Sequence, residues 1–400
     1  MSRPHHVIVG AGQSGANAAF AMRRAGFEGA ITIVGAENHF PYERPPLSKD
    51  VLTGQDSPKP PLFFSEARYD EKNIAIKLGQ RVTAIDAASA RLKTEEGASI
   101  PYDRLLIATG GRPRPLDFPG SESVVQLRDV DDAARLRASL KKGLRVACVG
   151  AGPIGLEVAT AARALGCDVT VLEKSASIMG RCLPAEAAGW LRRRHDAQGI
   201  KIITGFSLVA FEAGQVVEAS GDRIAADLVV AGTGMVPNIE LGASAGAKLD
   251  RGIMVDTFGE TSSPGIYAAG DVATFWHPLH ASHLSWETWR HAMNHGIAVG
   301  KSMAGRREPY VEFPYFWTDQ AGVRVQVVGA AAGSSSVRRG SESEDRFSIW
   351  YLDEENVVKG VVAVDAPREI KIAERLIQSG RPIDPMRIAD LAFELRDLLR

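Results

Sequence analysis

The run His5-His6-Val7-Ile8-Val9 is a short apolar stretch of the kind buried in a parallel sheet. It passes into Gly10-Ala11-Gly12-Gln13-Ser14-Gly15 and then into the small-residue stretch Ala16 to Ala25, which reads as a helix. After Gly26, Ala30-Ile31-Thr32-Ile33-Val34 predicts a second strand, and Glu37 stands just past its end. Strand, glycine turn, helix, strand and acid make a βαβ unit. The same order returns further on. Arg145-Val146-Ala147-Cys148-Val149 leads into Gly150-Ala151-Gly152-Pro153-Ile154-Gly155, a helix follows through Ala164, and the strand Asp168 to Leu172 ends at Glu173.

Two more apolar runs that end in small-residue turns, Leu105 to Gly111 and Leu228 to Gly234, follow the two glycine turns in matching order. The chain therefore contains two related nucleotide-binding halves. Gly265 to Asp271 is a further strand that ends in a glycine and an acid. From about Pro314 the pattern changes: Val323 to Val328, Phe347 to Leu352 and Val357 to Val364 alternate like antiparallel strands, and Pro367 to Gln378 reads as a helix. The polar stretch Gly333 to Asp345 reads as a surface hairpin loop, with Arg338 and Arg339 solvated on it. The fold class is α/β, two Rossmann-like dinucleotide-binding domains with a C-terminal α+β domain.

Composition narrows the function classes. The 400 residues carry 47 Lys+Arg against 48 Asp+Glu, a net charge of −1, so the field that draws a chain to nucleic acid or an anionic membrane is missing. No run approaches the roughly 18 apolar residues of a membrane span, and the early strand leaves no room for a secretion signal. Cys148, Cys167 and Cys182 form no close pair, which speaks against a disulfide framework or a cysteine metal site and suits a reducing cytoplasm.

The glycine turns carry the chemistry. In each, the first glycine (Gly10, Gly150) permits the tight turn, the second (Gly12, Gly152) lets backbone approach a pyrophosphate, and the third (Gly15, Gly155) lets helix and strand pack closely. The helix N-terminus, where Pro153 and Ile154 begin the second one, offers free N–H groups and a favourable dipole to the phosphates. The terminal acid accepts ribose hydroxyls. Glu173 favours NAD over NADP because a carboxylate repels a 2′-phosphate, and Gly232 and Gly234, in the turn that ends the run from Leu228, are assigned to the same NAD site. Two dinucleotide sites imply two dinucleotides that meet, most economically a flavin and a nicotinamide.

At this level the chain resembles the two-dinucleotide-binding flavoproteins, and within them the FAD-dependent ferredoxin reductases that serve bacterial Rieske dioxygenases and haem-thiolate monooxygenases. Beyond the glycine turns, the resemblance rests on Arg44-Pro45-Pro46-Leu47-Ser48-Lys49, Tyr102 to Pro115, Val236-Pro237-Asn238, Ala269-Gly270-Asp271 and Pro314-Tyr315-Phe316-Trp317-Thr318-Asp319-Gln320. It implies a glutathione-reductase-like arrangement: a discontinuous FAD domain at 1–112 and 245–314, an NAD domain at 113–244, and a C-terminal domain at 315–400. It implies that Ser14, Glu37, Arg44, Lys49, Val82, Ala108, Thr109, Gly110, Arg128, Asp271 and Trp289 line FAD, with Trp317 brought towards it. It places Lys49 near flavin N5 with Glu157 as partner, a pair acting on the charge around the ring. None of the three cysteines matches the redox cysteines of disulfide reductases, thioredoxin reductases or related peroxidases. Electrons taken from NADH as a hydride then leave the flavin one at a time for a 2Fe-2S ferredoxin.

Two other classes remain open on the sequence: an NADH-sensing flavoprotein resembling the apoptosis-inducing-factor-like proteins, and a direct NADH:quinone or oxygen oxidoreductase. The helical spacing of Glu287, His291 and His295 tempts a metal reading, but no closed ligand set assembles and no metal is expected. His283, Arg290, His291 and His295 are instead candidates for a docking surface facing an acidic ferredoxin.

Overall fold

The computed structural model describes residues 3–54, 59–278 and 280–400. They form two compact units. One comprises Met1–Glu43, Pro60–Arg112 and Met235–Glu312; the other comprises Arg44–Lys59, Pro113–Gly234 and Phe313–Arg400.

The first unit is built on a five-stranded parallel sheet in the order Ile266–Ala268, Arg104–Ile107, His5–Val9, Ala30–Val34, Ile74–Lys77. Its central strand is apolar on both faces because both are covered. Val7 and Val9 join a cluster with Leu105, Ile107 and Phe275, and Ile8 joins Phe20, Met22 and Leu106 on the other side. Helix Gln13–Arg24 follows the central strand and packs on helix Trp289–Met303. Close approach of this pair needs glycine: a Cβ on Gly296 or Gly300 would strike the carbonyl oxygen of Ser14 or Ala18. A small antiparallel sheet, Val82–Asp86, Arg91–Thr94 and Ser99–Pro101, completes the excursion between the third and fourth parallel strands of the chain.

The second unit repeats the plan with strands in the order Lys201–Thr204, Asp168–Glu173, Arg145–Val149, Leu228–Ala231, Val125–Gln126, and helix Pro153–Ala164 following its central strand. It also holds the C-terminal sheet, antiparallel in the order Tyr315–Gln320, Val323–Gly329, Val358–Val364, Arg346–Leu352, Ser335–Ser341. Helix Pro367–Ser379 lays Ile370, Ala373 and Leu376 on that sheet among Val328, Trp350 and Val361.

One expectation is corrected here. The polar stretch after Gly333 is not a loop: Ser335–Ser341 is an edge strand paired through its backbone with Arg346–Leu352. An edge strand needs little apolar content, because only one of its sides must pair and charge on it discourages association with other chains. Its arginines are not simply solvated either. Arg339, with 12% of its side chain exposed, donates to the carbonyls of Ile388, Asp390, Leu391 and Phe393, and Arg338 bridges Glu186 and Glu342.

Candidate functional site

In the first unit the central strand delivers the turn at Gly10, whose φ of +115° lies in the region that favours glycine. A Cβ there would collide with the Ala108 carbonyl, and one on Gly15 with the carbonyl of Gly10. Gly12 is different: its Cβ would meet nothing within 4 Å. The helix beginning at Gln13 has no side-chain cap, and both polar atoms of the Gln13 amide are buried without a partner. An open glycine, uncapped N–H groups and an orphaned amide at one spot fit the pyrophosphate of a dinucleotide.

Some of the other residues assigned from the sequence lie beside this turn, and others are placed elsewhere in the same unit. Ser14 Oγ donates to the Ala292 carbonyl at 2.7 Å, and the turn at Gly270, φ +78°, comes so close that a Cβ would strike Ser14 Oγ. Asp271 is the next residue, and Trp289 opens the helix that carries Ala292. Ala108, Thr109 and Gly110 end the neighbouring strand, tied to Asn238 in both directions: the Asn238 amide donates to the Thr109 carbonyl at 2.9 Å, and Thr109 Oγ1 donates back at 3.0 Å. Glu37 accepts the Tyr42 hydroxyl at 2.6 Å. Val82 is buried at the start of the small antiparallel sheet.

The second unit repeats the arrangement. A Cβ on Gly150, φ +96°, would lie 2.6 Å from the Gly232 carbonyl oxygen, one on Gly155 would strike the Gly150 carbonyl, and one on Gly152 would find open space. Pro153 occupies the first helical turn, where its missing N–H costs nothing, and Ile154 leaves 43% of its surface exposed beside it. Thr233 Oγ1, between Gly232 and Gly234, is buried without a partner. Glu173 accepts the backbone N–H groups of Ala151 and Ser175, each at 2.7 Å. This turn too fits a dinucleotide.

Lys49 and Glu157 lie in the second unit and meet there. Lys49 Nζ sits 2.7 Å from Glu157 Oε2 and 3.0 Å from the Pro45 carbonyl, with side-chain exposures of 18% for Lys49 and 3% for Glu157. Two residues to which the sequence reading gave no role complete the carboxylate's shell. Ser48 Oγ donates to Oε2 at 2.5 Å and Thr318 Oγ1 donates to Oε1 at 2.6 Å. Both lie in segments that carried the family resemblance, yet only the fold shows that they converge. Arg44 donates to the Arg128 carbonyl at 2.7 Å, and Trp317 lies half-buried on the strand that carries Thr318.

The docking reading is corrected for two of its four residues. His291 and His295 are fully buried, stacked with Phe275 and Tyr310, and cannot meet a partner. Burial pushes the imidazolium of His295 down to about 3 and that of His291 well below its usual value. His295 Nδ1 accepts the Gly270 N–H at 3.2 Å, so this histidine serves the turn before Asp271. His283 is exposed beside Trp276, and Arg290 faces Glu312 at 3.5 Å. Cys148 is buried inside its strand, with its thiol pushed up to about 12 by desolvation. Among the described residues no group of three or more His, Cys, Asp or Glu is placed to hold a metal ion, and no helix is long and apolar enough to cross a membrane.

Known proteins carry the same architecture. Residues 4–296 match the pyridine nucleotide-disulphide oxidoreductase family and residues 315–399 match the reductase C-terminal domain. The chain is 39% identical over 394 residues, 98% of its own length and 97% of the relative's, to the ferredoxin–NAD(+) reductase component of the p-cumate 2,3-dioxygenase system of Pseudomonas putida. Its fold is similar to the crystal structure of the ferredoxin reductase for the CYP199A2 system from Rhodopseudomonas palustris, with a TM-score of 0.94, 32% identity, and coverage of 99% of this chain and 100% of that one. It is also similar to the reductase in a covalent putidaredoxin reductase–putidaredoxin complex, with a TM-score of 0.93, 32% identity, and coverage of 100% of this chain and 99% of that one. With both dinucleotide turns formed and the match running through nearly the whole length, the chain belongs to the pyridine nucleotide-disulphide oxidoreductase family, in the branch that carries the reductase C-terminal domain.

Proposed function

We propose that this protein is an FAD-dependent NADH:ferredoxin oxidoreductase that feeds a bacterial Rieske dioxygenase or haem-thiolate monooxygenase through a 2Fe-2S ferredoxin. The observation that carries the reading is the duplicated turn, each copy with an open second glycine and an uncapped helix, in a chain similar over nearly its full length to ferredoxin–NAD(+) reductase components. Bound FAD supplies the chemistry the side chains lack, since it accepts two electrons as a hydride and releases them singly.

The chain's own residues bind and orient. Gly12 and the first helix hold the FAD pyrophosphate, Glu37 its ribose, and Asp271 the ribityl and pyrophosphate region. Gly152, Pro153 and Ile154 receive the NADH pyrophosphate and Glu173 its ribose hydroxyls. Lys49 and Glu157 set the charge near the flavin, and no general acid or base is required for hydride transfer. The unpaired cysteines agree with a cytoplasmic setting.

The test is a visible spectrum of the purified protein, an anaerobic NADH titration, and reoxidation with a 2Fe-2S ferredoxin whose own reduction is watched. A yellow protein that bleaches with NADH and rapidly reduces the ferredoxin bears the reading out. Fast loss of electrons to oxygen or quinone alone, or a long-lived reduced complex indifferent to ferredoxin, removes the acceptor assigned here.

A further inference from the structure

Glu157 does not end the polar network that begins at Lys49. Its second oxygen leads into the C-terminal sheet and from there to a helix of the middle segment. Thr318 Oγ1 donates to Glu157 Oε1 at 2.6 Å and accepts from Gln320 Nε2 at 2.9 Å. Gln320 Oε1 in turn lies 2.7 Å from His195 Nε2, on helix Ala185–Ala197. Thr318, Gln320 and His195 expose 0%, 2% and 0% of their surface.

The direction of each bond follows from the chemistry of its groups. An amide nitrogen only donates, so the Thr318 oxygen accepts from Gln320 and spends its own proton on Glu157. The amide oxygen only accepts, so His195 carries its proton on Nε2. Every donor in the series therefore points towards Glu157, and aligned bonds of this kind polarise one another. Burial keeps His195 neutral by pushing its imidazolium below its usual range, which leaves the relay with dipoles and no second cation. Thr318 and Gln320 alternate along one strand, and this puts both side chains on one face of the sheet.

We propose that Thr318, Gln320 and His195 are positioning residues for the Lys49–Glu157 pair, and that their aligned hydrogen bonds set the charge this pair presents to the flavin. The inference rests on the reading that the pair tunes the flavin. It assigns the C-terminal sheet a part in the redox chemistry, made through hydrogen bonds to Glu157.

The sign of the effect distinguishes this role from simple packing. The Thr318 hydroxyl offsets part of the carboxylate's charge. Removing it leaves the pair more negative and reduced flavin less favoured, whereas removing the carboxylate leaves Lys49 uncompensated and reduced flavin more favoured. The experiment is a reductive dye-equilibration titration of the FAD-loaded protein and its variants. Thr318→Val is expected to lower the flavin reduction potential, Thr318→Ser to restore it to the parent value, and Glu157→Gln to raise it. Gln320→Leu, one bond further off, is expected to give a smaller downward shift and serves if Thr318→Val does not fold.

A second readout involves no flavin chemistry: the ¹⁵N resonances of His195 are expected to report a neutral ring protonated on Nε2. Potentials unmoved in both Thr318→Val and Gln320→Leu, with Glu157→Gln still raised, overturn the relay and leave the role of the pair intact. A proton found on Nδ1 of His195 also overturns it. An unmoved potential in Glu157→Gln removes the pair from the flavin, and the inference falls with that reading.

Discussion

The two glycine turns are built alike around their backbones, and each acid that follows has its own partners. In both, the first and third glycines press on carbonyls and the second faces open space. Glu173 accepts two backbone N–H groups, including that of Ala151 inside its own glycine turn, and Glu37 accepts the hydroxyl of a tyrosine five residues away. A carboxylate held by backbone donors is already oriented before any ligand arrives, so little ordering cost falls on binding. That suits a dinucleotide that must enter and leave in every turnover. In the reading proposed here the shared motif receives the phosphates in both units, and the clamped Glu173 is set in advance for the ligand that exchanges.

The strongest way to break this comparison is to damage one turn at a time. Gly10→Ala places a Cβ against the Ala108 carbonyl at a φ of +115°, and Gly150→Ala places one 2.6 Å from the Gly232 carbonyl at +96°. Strain of this kind costs about 1–3 kcal/mol before the collision is counted. We expect Gly10→Ala to purify with little flavin, and Gly150→Ala to stay yellow but to bleach only at much higher NADH concentration. Flavin-to-protein ratios and anaerobic NADH titrations read both. Loss of flavin in both variants would erase the division of labour.

Next in size is Glu173→Ala. Ribose hydrogen bonds to a charged acceptor contribute about 1.5–3 kcal/mol, so NADH affinity should fall roughly tenfold or more with flavin content unchanged. Addition of a nearby arginine should move preference towards NADPH. A preference that does not move would remove the ribose role from Glu173, whereas Asp271→Ala should show the opposite pattern, with weakened flavin retention and normal NADH binding in the molecules that stay loaded.

Both turns were legible in the sequence because their physics is local: a strand, three glycines at fixed spacing and an acid depend on residues close along the chain. The partnership of Lys49 with Glu157 came through the family resemblance, and the structure brings the two side chains into contact across 108 residues of chain. Thr318 and Ser48 were not legible as its companions, since nothing along the chain says that a strand near residue 318 presents its hydroxyl to a helix near residue 157. His291 and His295 misled for a related reason. Their spacing marks one helical face, but whether that face meets solvent or the Phe275 cluster is decided by segments far away in sequence. The Ser335–Ser341 strand shows the same limit, because pairing through backbone leaves no apolar signature.

Acid should bear on both units, since each buries a histidine whose imidazolium is disfavoured by desolvation. In the first, burial lowers His6 to about 4 and His295 to about 3. Each is neutral when folded and free to bind a proton near 6.5 when unfolded. The unfolded chain thus binds more protons below about pH 6.5, and stability falls as pH drops from there towards 4. His295→Asn, which keeps an acceptor for the Gly270 N–H, should flatten the decline in melting temperature between pH 7 and 5. An unchanged slope would mean that His295 does not govern the acid response.

The smallest effect is expected at Cys148, which lies on the central strand just before the second turn. Its thiol is pushed up to about 12 by burial, so at neutral pH it carries no thiolate to attack an electrophile or to exchange electrons. Cys148→Ala should leave the rate of flavin reduction by NADH and the onward electron delivery unchanged, at a stability cost of about 1 kcal/mol for the lost sulfur contacts. The sign of the linkage is opposite to that of the histidines. A buried acid with a raised folded value keeps its full contribution below the unfolded value near 8.5 and loses it as pH rises towards 12. Alkylation of the native protein at pH 8 should therefore leave Cys148 unmodified, as mass spectrometry of its peptide would read. Modification there without unfolding would show that this strand opens, and with it the base of the second glycine turn.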